Sequence, residues 1–181
     1  MPHNENSRVK IPALVHFTRL GYKYISLRKY EGVIDDDTNI LVDVLCDAIN
    51  RINATSLTTT DTQKIVNALK AMLENDDLGR EFYSVLINGY NGLKLIDFED
   101  FGGTVNYYHV VTEMTCKNGS DEFRPDITPL INGLPLAFIE VKKPNNKGGI
   151  ISTNITTIAS IHGRKLVLSI RNTMEPHIDL S

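Results

Sequence analysis

Asp126-Ile127-Thr128-Pro129-Leu130-Ile131-Asn132-Gly133-Leu134-Pro135-Leu136-Ala137-Phe138-Ile139-Glu140-Val141-Lys142 is the stretch on which the fold turns. Asn132-Gly133 lies between two apolar runs, and Asn-Gly readily supplies the positive φ angles of a tight hairpin turn. Two strands are therefore expected, Asp126 to Ile131 and Leu134 to Lys142. Successive side chains in a strand point to opposite faces, so Leu134, Leu136, Phe138, Glu140 and Lys142 are expected to share one face. A carboxylate and an ammonium closing an otherwise apolar face are costly unless they are paired or hold an ion. Asp126 opens the first strand, and a hairpin brings it near Glu140 or Lys142, with the register left open.

Two carboxylates and a lysine in one place suit magnesium, which takes one or two carboxylates and completes its shell with water and a substrate phosphate. The pattern alone also admits a surface hairpin ending in an ordinary Glu–Lys pair.

The rest of the chain bounds the possibilities. Its 181 residues are 41% hydrophobic and 23% charged, enough for one sizeable core and too short for two ordinary domains with a linker. The formal net charge of -3 excludes a uniformly basic nucleic-acid binder, so any such surface must be a local patch. Cys46 and Cys116 have no metal-ligand spacing and read as reduced, partly buried thiols. No apolar run approaches the roughly 18 residues of a membrane helix, and the polar start lacks a signal-peptide core, so the cytoplasm is the expected compartment.

The first half reads as helical. Val9 to Leu20 repeats with a helical period and stops at Gly21. Asp35-Asp36-Asp37-Thr38 is expected to cap a helix from Asn39 to Asn53. Thr58 to Asp61 opens a third helix, and Asp76-Asp77 opens a shorter one that ends near Asn88-Gly89. From about residue 91 the texture becomes extended: Leu93 to Phe98, Thr104 to Lys117 with a turn at Lys117 to Ser120, and then the hairpin. This predicts an α+β or α/β/α sandwich. His16 reads as a helix-face residue and His109 as a packing residue. Gly102-Gly103 and Gly148-Gly149 are too short to cradle phosphate, and Asp35 to Asp37 reads as a solvated helix start.

Pro125-Asp126, a gap of thirteen residues, then Glu140-Val141-Lys142 resembles the P-D…(D/E)-x-K signature of restriction-type nucleases. The wider run, Arg124 to Ile127 and Ile131 to Lys143, resembles the N-terminal nuclease domain of the type I restriction enzyme R subunit. The likeness extends to Leu20-Gly21-Tyr22-Lys23-Tyr24, Phe82 to Leu86, Leu93 to Phe98 and Val110 to Glu113, and covers residues 5 to about 150. It implies a restriction-endonuclease-like core, with a mixed, largely antiparallel sheet flanked by helices. It also implies a magnesium- or manganese-dependent endodeoxyribonuclease. Asp126 and Glu140 would be the metal ligands, with the backbone carbonyl of Val141 as a further donor, and Lys142 the catalytic lysine. Lys143 and Lys147 would be candidates for phosphate contact. The implied partners are DNA and the methylase and specificity subunits, with ATP acting only through motor domains.

The likeness sets residues 1–150 as the nuclease domain and 151–181 as a divergent or truncated tail. Gln63 is the last glutamine, so the family's Q-x-x-x-Y motif is absent, and no G-x-x-x-x-G-K-[ST] occurs. Two readings stay open: a domain that cuts DNA, and a non-cleaving, nuclease-like assembly or DNA-binding module.

Overall fold

The computed structural model describes residues 9–77, 79–100, 103–118, 121–141, 155–161 and 164–170. Its first half is helical: α1 (Ile11–Arg19), α2 (Val42–Asn53), α3 (Thr59–Leu73) and α4 (Arg80–Asn88). Gly21 ends the first turn after α1 with φ 93°, a conformation that costs glycine least. Thr58 and Asp61 mark the expected start of α3, where they form a reciprocal box, each side chain accepting the other's backbone N–H. Asp77 accepts the Glu81 N–H at the start of α4. Leu45 and Ile49 of α2 pack with Ile65, Val66 and Leu69 of α3 and Phe82 of α4 in one apolar cluster.

Asp35 to Thr38 does not cap α2. Asp35 Oδ1 accepts the Thr38 N–H at 2.9 Å and its hydroxyl at 2.7 Å, closing a separate turn. Asn39 then takes φ 59°, and Leu41 is extended when the helix begins at Val42. The acidic run competes for the backbone locally, as short polar side chains do.

The main sheet has four strands in the order β1 (Lys23–Tyr24), β2 (Tyr108–Thr112), β5 (Ile127–Ile131), β6 (Leu134–Pro135). β1 runs parallel to β2, an edge pairing that the sequence pattern did not reveal; the other neighbours are antiparallel. Val110, Ile127 and Val141 face α1, packing with Ala13, Leu14 and Phe17. Val111 and Leu130 face the other way, with Leu41, Met114 and Phe138. Between β2 and β5, β3 (Cys116–Asn118) and β4 (Asp121–Phe123) pair as the expected hairpin. Later, β7 (Ile155–Ile161) pairs antiparallel with β8 (Arg164–Ile170). Thr104 to Lys117 is thus not one strand: it breaks at Glu113, where φ is 56°.

Leu93 to Phe98 is not a strand either, beyond one bridge between Tyr90 and Leu93. Side-chain amides meet its backbone instead. Asn53 accepts the Lys94 N–H and donates to the Lys94 carbonyl, and Asn106 does the same for Asp97. Leu95 and Ile96 are buried all the same, so the apolar signal was real but its backbone partners were asparagines.

Asn132 sits at the centre of this arrangement. With Gly133 it makes the hairpin turn, at φ 52° and 81°. Its side chain is fully buried and accepts the Tyr107 N–H at 2.7 Å. It donates to the Leu95 carbonyl and to Asn106 Oδ1, each at 2.8 Å. At Gly133 a Cβ would stand 2.6 Å from the Leu41 carbonyl oxygen. One turn therefore ties the sheet to α2 and to the loop before β2.

Asn132→Ala leaves those partners buried and unpaired and puts at positive φ a residue that tolerates it less well than asparagine, and we expect a loss on the order of 3 kcal/mol in urea denaturation. An unchanged midpoint would contradict this role. Asp100 accepts the N–H groups of Asn106, Thr104 and Val105, and these bonds pull its carboxyl from its ordinary 3.8 to about 2. A depressed carboxyl contributes stability that is present above its unfolded value and lost as pH falls through the folded one. Asp100→Asn is therefore expected to be less stable than the parent at neutral pH, and acid titration of the melting temperature should show that gap closing between about pH 4 and about pH 2.

Candidate active site

The geometry of the site follows from a one-residue mismatch in the hairpin. Near the turn, Leu130 pairs with Pro135 and Ile131 with Leu134. At the open end, Ile127 pairs with Ile139, exchanging N–H···O bonds of 3.1 and 2.8 Å. Three steps along the first strand thus match four along the second, so the second carries one extra residue between Pro135 and Ile139. Pro129 and Pro135 have no N–H to give a ladder in this region, which makes it the natural place for the irregularity.

The extra residue reverses the alternation. Leu134 and Leu136 pack in the cluster with α2 and α3, whereas Phe138 packs with Val111 and Leu130. The single shared face expected from Leu134 to Lys142 is therefore interrupted. Its consequence for the acidic residues is favourable. Carried one residue beyond the Ile127–Ile139 pair, this register would set Asp126 opposite Glu140. That would be a non-hydrogen-bonded position, where antiparallel strands bring side chains closest. Without the extra residue Asp126 would oppose Ile139, and Glu140 would point to the other face.

Asp126 is held at both oxygens. Oδ2 accepts the Val141 N–H at 2.9 Å. Oδ1 lies 3.7 Å from the Lys10 ammonium. Asp126 is half-buried and Glu140 exposed, so both reach solvent. Val141 is buried against α1 and fixes the strand end. Lys142, Lys143 and Lys147 lie outside the described residues, as do Gly102, Gly148 and Gly149. Among the described residues no three His, Cys, Asp or Glu side chains group closely enough to hold a metal ion. Solvent-accessible carboxylates such as Asp126 and Glu140 are oxygen donors of the kind magnesium or manganese takes, together with waters and substrate oxygens, rather than those of a closed structural zinc site.

Sequence reasoning missed three neighbours. Lys10 is 7% exposed, and its ammonium donates to Glu113 Oε1 at 2.9 Å while also facing Asp126. Arg124 binds the Glu113 carboxylate at 2.8 Å and the Glu113 carbonyl at 3.1 Å. The Lys10 hydrogen bond, more than any other cause, holds the Glu113 carboxyl below its usual range, with Arg124 and Arg28 adding to the effect. A signal for Lys10 was present. It precedes Ala13, Leu14 and Phe17 by three, four and seven residues, which is the spacing of the half-buried apolar stripe of α1.

His109 is a packing residue, its ring 6.1 Å from that of Tyr107 and its pKa lowered first by burial. Cys46 and Cys116 are free and buried, and burial pushes the Cys116 thiol up to about 12.

A family model described as the type I restriction enzyme R protein N terminus matches residues 2–158. The chain belongs to that family. The match contains the hairpin with Asp126 and Glu140, and α1 with Lys10. A relative from Methanocaldococcus jannaschii, named as a type I restriction enzyme MjaIXP endonuclease subunit, is 31% identical over 170 residues. That alignment covers 79% of this chain and 16% of the relative, so the chain spans a small part of that protein's length. Among the described residues no helix is long and apolar enough to cross a membrane.

Removing the buried ammonium leaves two carboxylates facing each other. Lys10→Met is expected to lower stability by about 2 kcal/mol in urea at neutral pH. Combined with Glu113→Gln it should cost less than the sum of the single changes, because the second change removes half of the repulsion. Strict additivity in that double-mutant cycle would show that the two side chains do not act together.

Proposed function

We propose that this chain is a metal-dependent endodeoxyribonuclease module, working within a type I restriction enzyme. The observation that supports the reading is the one-residue offset of the hairpin, which brings Asp126 and Glu140 into register when it is carried past the Ile127–Ile139 pair. Asp126 and Glu140 would hold magnesium or manganese, with the Val141 carbonyl as a further donor. The ion, when bound, lowers the pKa of its water and stabilises charge on the phosphoryl group. Lys142, two residues on from Glu140, orients or deprotonates the attacking water. The Val141 N–H keeps the Asp126 carboxylate aimed without consuming its second oxygen.

The chain's acidity favours weak binding to DNA in isolation, since non-specific affinity comes mainly from phosphates neutralised by Lys and Arg. We therefore infer that it cuts in the cytoplasm when joined to ATP-driven motor domains, which deliver the DNA, and to methylase and specificity subunits, which choose the target. The Lys10–Asp126 contact favours a second reading, in which the carboxylate is neutralised internally and the domain serves assembly without cutting.

Plasmid nicking at low salt separates the two. With magnesium or manganese we expect slow nicking by the isolated chain. A full-length R subunit with its methylase and specificity partners and ATP should cut rapidly. Asp126→Asn, Glu140→Gln and Lys142→Ala should each reduce cutting by roughly a hundredfold or more. Cutting that survives all three substitutions would overturn the assignment. Absence of cutting by the complete assembly would favour the assembly module.

A further inference from the structure

Beside Lys10, which contacts Asp126, lies an open cleft of about 480 Å³ between the start of α1, the segment from β1 to Arg28, the end of β2 and Arg124. Its charge is unlike that of the chain. Lys10, Arg28 and Arg124 line it, against one carboxylate, Glu113, in a protein of net charge -3. Two of the three cations are engaged with Glu113, whereas Arg28 is exposed and in no ion pair among the described residues. The remaining polar lining is hydroxylic: Ser26, Thr112 and Tyr24, with the Tyr24 and Thr112 oxygens 3.2 Å apart.

Guanidinium, ammonium and hydroxyl donors are the groups that contact the sugar–phosphate chain of DNA, and they carry no base-specific information. The charge balance also suits an anion: Lys10, Arg28 and Arg124 stand against Glu113 and the neighbouring Asp126, which leaves an excess of positive charge in a cleft open to solvent. Position completes the argument. Thr112 pairs with Ile127, the residue next to Asp126, and Lys10 touches both the cleft and Asp126.

We infer that this cleft binds the phosphodiester backbone of the DNA strand on its way to Asp126 and Glu140, with Arg28 and Arg124 as the principal contacts. The inference rests on the nuclease reading for the direction of the strand, and on the cleft's own chemistry for the ligand.

Fluorescence anisotropy of a fluorescein-labelled DNA duplex, measured with calcium at several salt concentrations, tests it. The parent chain should bind, with log affinity falling linearly against log salt. Arg28→Ala should weaken binding and reduce that slope by about one, and adding Arg124→Ala should reduce it by about two in all. Lys64→Ala, on α3 and outside the cleft, should leave the slope unchanged. Thermal melts keep the comparison to folded protein, and the exposed Arg28 carries the test should Arg124→Ala unfold. A slope for Arg28→Ala equal to that of Lys64→Ala would overturn the inference, as would salt-independent binding by the parent. The nuclease reading fails separately, if cutting survives Asp126→Asn while the Arg28 effect on binding stands.

Discussion

The offset within the hairpin is the constraint on which the site depends. A strand alternates with a period of two, so a shift of one residue changes the face of every side chain beyond it. Here the shift is built into one strand, between Pro135 and Ile139. On the turn side of it, Leu134 and Leu136 serve the helical core. On the open side, Phe138 serves the opposite layer, and Glu140 comes level with Asp126. The same irregularity therefore fills two cores, and bulges of this kind recur beside active sites.

An offset is useful only if both ends of the hairpin are held. The turn end is held by the buried Asn132 amide, which binds two segments distant in sequence, at Leu95 and at Asn106-Tyr107, and by Gly133 against the Leu41 carbonyl. The open end is held by the Val141 N–H on Asp126 and by Lys10 reaching across from α1. A buried ammonium shared by two carboxylates is a poor means of gaining stability, because desolvation offsets much of the attraction. Its position beside Asp126 is better accounted for by the charge it supplies to the site. It also joins Asp126 to the cationic cleft.

Much of the fold was legible in the sequence. The Asn-Gly turn, the reciprocal Thr58–Asp61 cap and the stop at Gly21 are local signals, set by φ preferences and short-range hydrogen bonds, and each is realised in place. What local signals missed were side chains that answer backbone groups far away. Leu93 to Phe98 has the apolar texture of a strand, but its N–H and C=O groups find Asn53, Asn106 and Asn132 instead of a neighbouring strand. Asp35 caps its own turn rather than α2. At the candidate site, Asp126 and Glu140 could be named from the sequence, but the offset in the strand between them could not. Strict alternation puts Leu134 and Glu140 on one face, and only the pairing register discloses the extra residue. Lys10 was hidden by its ordinary setting near the start of a helix.

The register itself can be measured without any ligand. Directly opposed, non-hydrogen-bonded positions bring Cβ atoms within reach of a disulfide, whereas neighbours on opposite faces cannot be bridged. In the double variant Asp126→Cys with Glu140→Cys, mild oxidation followed by mass spectrometry should show an efficient 126–140 cross-link. The pair Asp126→Cys with Ile139→Cys should remain reduced, with Cys46 and Cys116 buried and silent in both. Efficient cross-linking of 126 to 139, and none of 126 to 140, would mean that the strand carries no extra residue and that the two acids do not meet.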